Sequence, residues 1–112
     1  MNKDQIKQDI IKMLADRGDG VSFANLANIP GFSGQTGMEI NNLNIFIWFS
    51  CSQEAIQAIV ELQDESKIEL HPTQPLTYIV DGCVPKYPAA KSKRAYKTPH
   101  WAPMALKRGK LF

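Results

Sequence analysis

The stretch AIQAIVELQDESKIELHPTQPLTYIVDG, residues 55–82, contains the change of period that decides the fold. Its first half repeats apolar residues at helical spacing. Ile56, Ile59, Val60 and Gln63 share one side, and Ala55, Ala58 and Leu62 widen the apolar face, so a helix is expected from residue 53 to about residue 65. Ser50 or Ser52 offers its N-cap. Beyond that helix the period shortens. Residues 67–71 (KIELH) and 76–81 (LTYIVD) alternate or cluster apolar residues, and PTQP separates them. Proline lacks a donor N–H and suits a turn or strand end, so the two runs are expected to pair as an antiparallel β-hairpin.

Upstream, residues 3–17 read as a helix with Ile6, Ile10, Met13 and Leu14 on one buried stripe. Asn2 can cap it, Gln5 completes the pattern of a capping box, and Gly18 and Gly20 end it. Ser22 then opens a short helix with Phe23, Leu26, Ala27 and Ile29 on its apolar face, stopped by Pro30 and Gly31. Residues 31–42 hold three glycines among small polar residues and read as a long loop. The run NIFIWF, residues 44–49, reads as a strand buried on both faces or lying at a subunit contact. A homodimer could use Phe46 and Trp48 on one face, or Ile45, Ile47 and Phe49 on the other. Prolines at 85, 88, 99 and 103 argue against any helix between residue 85 and Met104.

The order helix, short helix, helix, hairpin resembles a winged helix-turn-helix domain. The segments that carry the likeness are SFANLANI (22–29) and the helix running into a wing at 55–82. In general look the chain also resembles small prophage and mobile-element proteins. The resemblance implies an α+β, winged-helix-like domain over residues 1–85, with helices packed on a small antiparallel sheet, and it implies DNA binding. Two features depart from it. About twenty residues and an extra strand separate the second and third helices, where a turn of three or four residues is usual. The exposed face of the third helix shows Gln53, Glu54, Gln57, Glu61, Asp64 and Glu65, and phosphates repel its four carboxylates.

Charge divides the chain sharply. Residues 1–85 hold all eleven acids and five basic residues, a formal −6, while residues 86–112 hold eight basic residues and no acid, a formal +8. Such a basic segment on an acidic body points to a polyanion or to the body itself as its partner. Within KSKRAYKTPHWAPMALKRGK (91–110), Lys91, Lys93, Arg94, Lys97, Lys107, Arg108 and Lys110 are the candidate phosphate contacts. Tyr96 and Trp101, with Tyr87 and His100, are candidates for stacking on bases. The competing reading makes residues 96–106 an irregular strap anchored on the domain by Trp101 and Met104, its lysines turned to water. Two function classes therefore stand. One is a non-enzymatic, nucleic-acid-binding regulatory protein, with DNA the expected ligand. The other is a protein-interaction module using the acidic helix face and the apolar strand.

A length of 112 residues suits one small domain, and 44% hydrophobic with 21% charged residues is ordinary for a globular chain. No apolar run approaches the roughly 18 residues of a membrane span, and MNKDQIKQDIIK resembles neither a secretory signal nor a transit peptide, so a cytoplasmic location is the default. Cys51 and Cys83 are expected as reduced thiols, although one disulfide between them stays open. Cys51, His71, Cys83 and His100 lack the close pairing of metal ligands, so neither metal nor cofactor is expected. Cys51 near a helix start is a weak candidate nucleophile without a sequence-local base.

Overall fold

A computed structural model describes residues 2–40, 42–82, 85–91 and 94–112. Helix α1 (Lys3–Arg17) starts where Asn2 Oδ1 accepts the Gln5 N–H at 2.9 Å. The Gln5 side chain donates to Asp9 instead of returning to Asn2, so the capping box is half made. Ile6, Ile10 and Leu14 are fully buried, and Gly18, at φ 79°, accepts the left-handed turn that ends the helix. The stripe packs on α3 (Gln53–Asp64), whose N-cap Ser52 accepts from Ala55 N–H at 3.1 Å. The buried residues of α3 are Ala55, Ala58, Ile59 and Leu62, whereas Val60 and Gln63 face water. The buried face is thus rotated from the expected one, toward the side of Ala55, Ala58 and Leu62. Lys3 and Lys7 hold that contact, with Lys3 Nζ 2.6 Å from Glu61 and Lys7 Nζ 3.1 and 2.7 Å from Glu61 and Glu65.

Strand β1 (Val21–Ser22) leads into the short helix α2 (Phe23–Leu26), where Ser22 and Asn25 complete a reciprocal capping box. The glycine-bearing segment expected as loop is instead strand β2 (Ser33–Glu39), paired antiparallel with β3 (Ile45–Cys51) through register shifts. Its glycines are there for proximity. A Cβ at Gly34 would lie 2.6 Å from the Cys51 carbonyl oxygen, and one at Gly37 2.6 Å from the Phe46 ring.

The expected hairpin is half right. Strand β4 (Ile68–Pro72) forms, but residues 76–81 belong to helix α4 (Pro75–Asp81). Pro75 sits in the first turn, where its missing N–H costs nothing, and Gly82 closes the helix in the left-handed conformation at φ 79°, ψ 17°. Those flanking signals outweigh the β-leaning composition of LTYIVD. The strand that pairs β4 is β6 (Met104–Arg108), with Leu70 opposite Leu106. One sheet therefore has the order β1-β6-β4, all antiparallel, and the other the order β2-β3-β5, where β5 (His100–Trp101) runs parallel to β3. Among the described residues the protein is α+β, with four helices and two three-stranded sheets.

A chain of aromatic rings crosses the core. Phe32 meets Phe23, Phe23 stacks on Trp48, Trp48 lies 5.5 Å from Tyr78, and Tyr78 meets Trp101 edge-on at 4.9 Å and 87°. Trp101 is 2% exposed, and its Nε1 finds no hydrogen-bond acceptor among the described residues. The Tyr78 hydroxyl donates to Met104 O at 2.6 Å and accepts the Phe23 N–H at 3.0 Å. Ile45, Ile47 and Trp48 are also buried within the chain, while Phe46 and Phe49 are half-buried, so neither face of β3 is free as a whole for a second copy.

Trp101→Ala is expected to lower stability by about 3–5 kcal/mol in urea unfolding, as for other buried aromatics. Trp101→Phe should cost clearly less, because the indole N–H has no bond to lose. Tyr78→Phe should cost about 2–3 kcal/mol by stranding two backbone groups.

Candidate nucleic-acid interface

The segment from Pro85 to His100 is fastened at the turn between β2 and β3. Asn44 stands there at φ 59°, a left-handed conformation that asparagine tolerates. Its carbonyl accepts the His100 N–H at 2.7 Å, and its amide donates to Tyr96 O at 3.2 Å. Tyr96 N–H donates in turn to Leu43 O at 3.0 Å. Alongside, Trp101 N–H reaches Pro88 O and Ala90 N–H reaches Trp101 O, each at 2.8 Å. These bonds set Tyr87–Pro88 beside His100–Trp101.

Two planar surfaces result. Tyr96 and His100 stack at 3.7 Å and 22°, the Arg94 guanidinium carbon lies 4.8 Å from the Tyr96 ring centre, and the Tyr96 oxygen accepts the Lys91 N–H at 3.1 Å. His100 Nδ1 donates to Thr98 O at 2.8 Å, which sets the imidazole plane. Tyr87, 44% exposed, stacks on Phe49 at 4.3 Å, and Phe49 stacks on Phe46 at 4.9 Å.

The sequence-derived site residues fall into three groups. Lys91, Arg94, Tyr96 and Lys97 come together in the fastened loop, exposed except for the half-buried Tyr96. Lys107 and Arg108 stand on β6 and Lys110 in the turn after it, all exposed. Arg108 is engaged, because its backbone N–H and its Nε lie 2.9 and 3.2 Å from Asp19 Oδ1. The backbone hydrogen bond, with the guanidinium charge, holds the Asp19 carboxyl below its usual range. Trp101 lies apart from both groups, in the core, so its ring is not at the surface to receive a base. Lys93 lies outside the described residues. The fastening role of Asn44 escapes a reading of composition; its only signal in the sequence is the asparagine-rich run NNLN at 41–44.

Cys51 is fully buried, and desolvation pushes its thiol up to about 12, the reverse of an activated nucleophile. Among the described residues no three His, Cys, Asp or Glu side chains cluster as metal ligands, and Cys83 lies outside them. The exposed side of α4 is apolar, with Leu76, Ile79 and Val80 open to water and Val80 77% exposed. Comparison with protein-family models, with curated proteins and with solved structures finds no match for this chain.

The buried thiol dictates a pH dependence. Its folded value lies above that of an unfolded cysteine, so between about pH 8.5 and 12 the unfolded chain gives up the proton first. This contribution to stability is complete below the unfolded value and is lost as pH rises toward 12. Urea melts between pH 8 and 10.5 should show a shallower alkaline decline for Cys51→Ala than for the wild type, by about 2 kcal/mol across the range.

Proposed function

We propose that the protein is a non-enzymatic nucleic-acid-binding protein, DNA being the first ligand to test, that grips phosphates with the cations of residues 86–112. One observation carries this reading. Among the described residues Lys86, Lys91, Arg94, Lys97 and Lys110 are exposed and outside ion-pair distance of any acid, while Arg108 pairs with Asp19 and the charge of Lys107 also acts on that carboxylate. The lysines of α1 at the α3 contact, by comparison, are spent on Glu61 and Glu65. Unpaired cations on an ordered surface release phosphate counterions at little conformational cost.

The winged-helix reading draws support from connectivity. Helix, strand, short helix and a later helix occur in that order, and an antiparallel strand pair, β4 with β6, follows them, its second strand drawn from residues 104–108 and not from the expected 76–81. The inserted β2–β3 hairpin and the acidic α3 weigh against groove reading by α3, so affinity is assigned to the basic segment and shape to the domain. Among the described residues no helix is long and apolar enough to cross a membrane.

A second reading, a protein partner or a homodimer, rests on α4 and its open Leu76, Ile79 and Val80. It moves the contact away from β3. Sedimentation of wild type against Ile79→Ser/Val80→Ser tests the homodimer, which requires that the wild type alone self-associate.

The main reading is tested by fluorescence anisotropy with random-sequence DNA at several salt concentrations. Lys91→Gln/Arg94→Gln/Lys97→Gln should weaken binding at least about tenfold and make the slope of log K against log salt shallower by about 2–3. An unchanged affinity and slope sinks it. Deleting residues 91–112 is no substitute, since it removes β6 from the middle of a sheet.

A further inference from the structure

We infer that the preferred ligand is an unpaired polynucleotide strand, laid across Tyr87 and the Arg94–Tyr96–His100 cluster. The inference rests on the nucleic-acid reading above and narrows it.

Duplex reading needs an element that presents donors and acceptors to a groove. Among the described residues none of the helices offers one. Helix α2 has four residues, and α4 shows Leu76, Ile79 and Val80. The exposed face of α3 has Gln53 and Gln57 but is dominated by Glu54, Asp64 and Glu65. In α1 the cations Lys3 and Lys7 are already engaged by acids of α3, and Asp4, Asp9 and Asp16 share the helix with the remaining Lys12 and Arg17.

The basic segment offers a different set of groups. Tyr87 is backed by Phe49; in the second cluster Asn44 and Leu43 hold the backbone of Tyr96 and His100, Thr98 holds the imidazole, and the Arg94 guanidinium lies over the Tyr96 ring. The Pro88–Trp101 and Ala90–Trp101 hydrogen bonds put both platforms on the flanks of β5. Lys86, Lys91 and Lys97 stand in the same stretch, exposed. Planar groups need base faces, and stacking inside a duplex hides those faces. Cations interleaved with rings are the chemistry of a strand whose bases are free, and because every base has a π-face the selectivity is for strandedness over sequence.

The test uses the full chain and three labelled probes of about 12 nucleotides, within the usual site size: single-stranded DNA, single-stranded RNA and the DNA duplex of the same sequence. At matched salt one or both single strands should bind at least about tenfold tighter than the duplex. Arg94→Lys, which keeps the charge and loses the plane, and Tyr87→Leu, which keeps an apolar cover on Phe49, should each weaken single-strand binding about five- to tenfold. Neither should change the melting temperature or the salt slope. Equal affinity for duplex and single strand overturns the inference and leaves the phosphate-binding reading standing. A single-strand preference that survives both variants overturns the assignment to these rings. Failure of all three probes to bind sinks the nucleic-acid reading and this inference together.

Discussion

The hydroxyl of Tyr78 fastens α4 to the seam where β1 meets β6. It donates to the backbone at the start of β6 and accepts from the backbone at the start of α2, while its ring lies between Trp48 and Trp101. One side chain thereby ties α4, both sheets and the first short helix together. Ser22 adds a second tie, donating to Asp81 at 2.6 Å from the other end of α4. Both ties use the inner side of α4, and its outer side is left with Leu76, Ile79 and Val80. The helix is short, so tertiary contacts and not its own hydrogen bonds decide that it exists.

The same constraint explains how a strongly basic segment stays ordered. Trp101, Ala105 and Leu106 are buried, and Lys97, Lys107 and Lys110 on either side of them are exposed. Burial of the apolar positions offsets the entropy of ordering the segment, and prolines 85, 88, 99 and 103 reduce that entropy from the start. Like charges are then spread over a loop and a strand, held by backbone hydrogen bonds and buried apolar side chains. Where an acid is close, as with Asp19 beside Arg108, the pair fixes the end of β6 and is lost to any ligand.

Elements governed by local rules were legible in the sequence. Helices α1 and α3 follow from apolar spacing and from Asn2, Ser52 and Gly18 at their ends. The strand at 45–51 follows from its β-branched and aromatic run. What was not legible depends on partners far along the chain. Residues 76–81 have the composition of a strand, and only Pro75 and Gly82 hint at a helix. The partner of β4 lies more than thirty residues on, which no local pattern encodes. Gly34 and Gly37 read as loop residues because the signal for a close backbone approach and the signal for a turn are the same amino acid. In the candidate site the cations were visible by count. Their sorting into free lysines, a paired Arg108 and a buried Trp101 required the fold.

The order β1-β6-β4 bears on how the chain is made. During synthesis β1 and β4 leave the ribosome well before the strand that separates them, so for that interval both have unpaired backbone and the Trp101 side of the core is open to water. Non-local pairing of this kind folds slowly, and the waiting strands are exposed to wrong partners. A product cut short before Met104 would keep its acidic body and lack the strand that joins its first sheet. Such a chain would leave the facing edges of β1 and β4 unpaired.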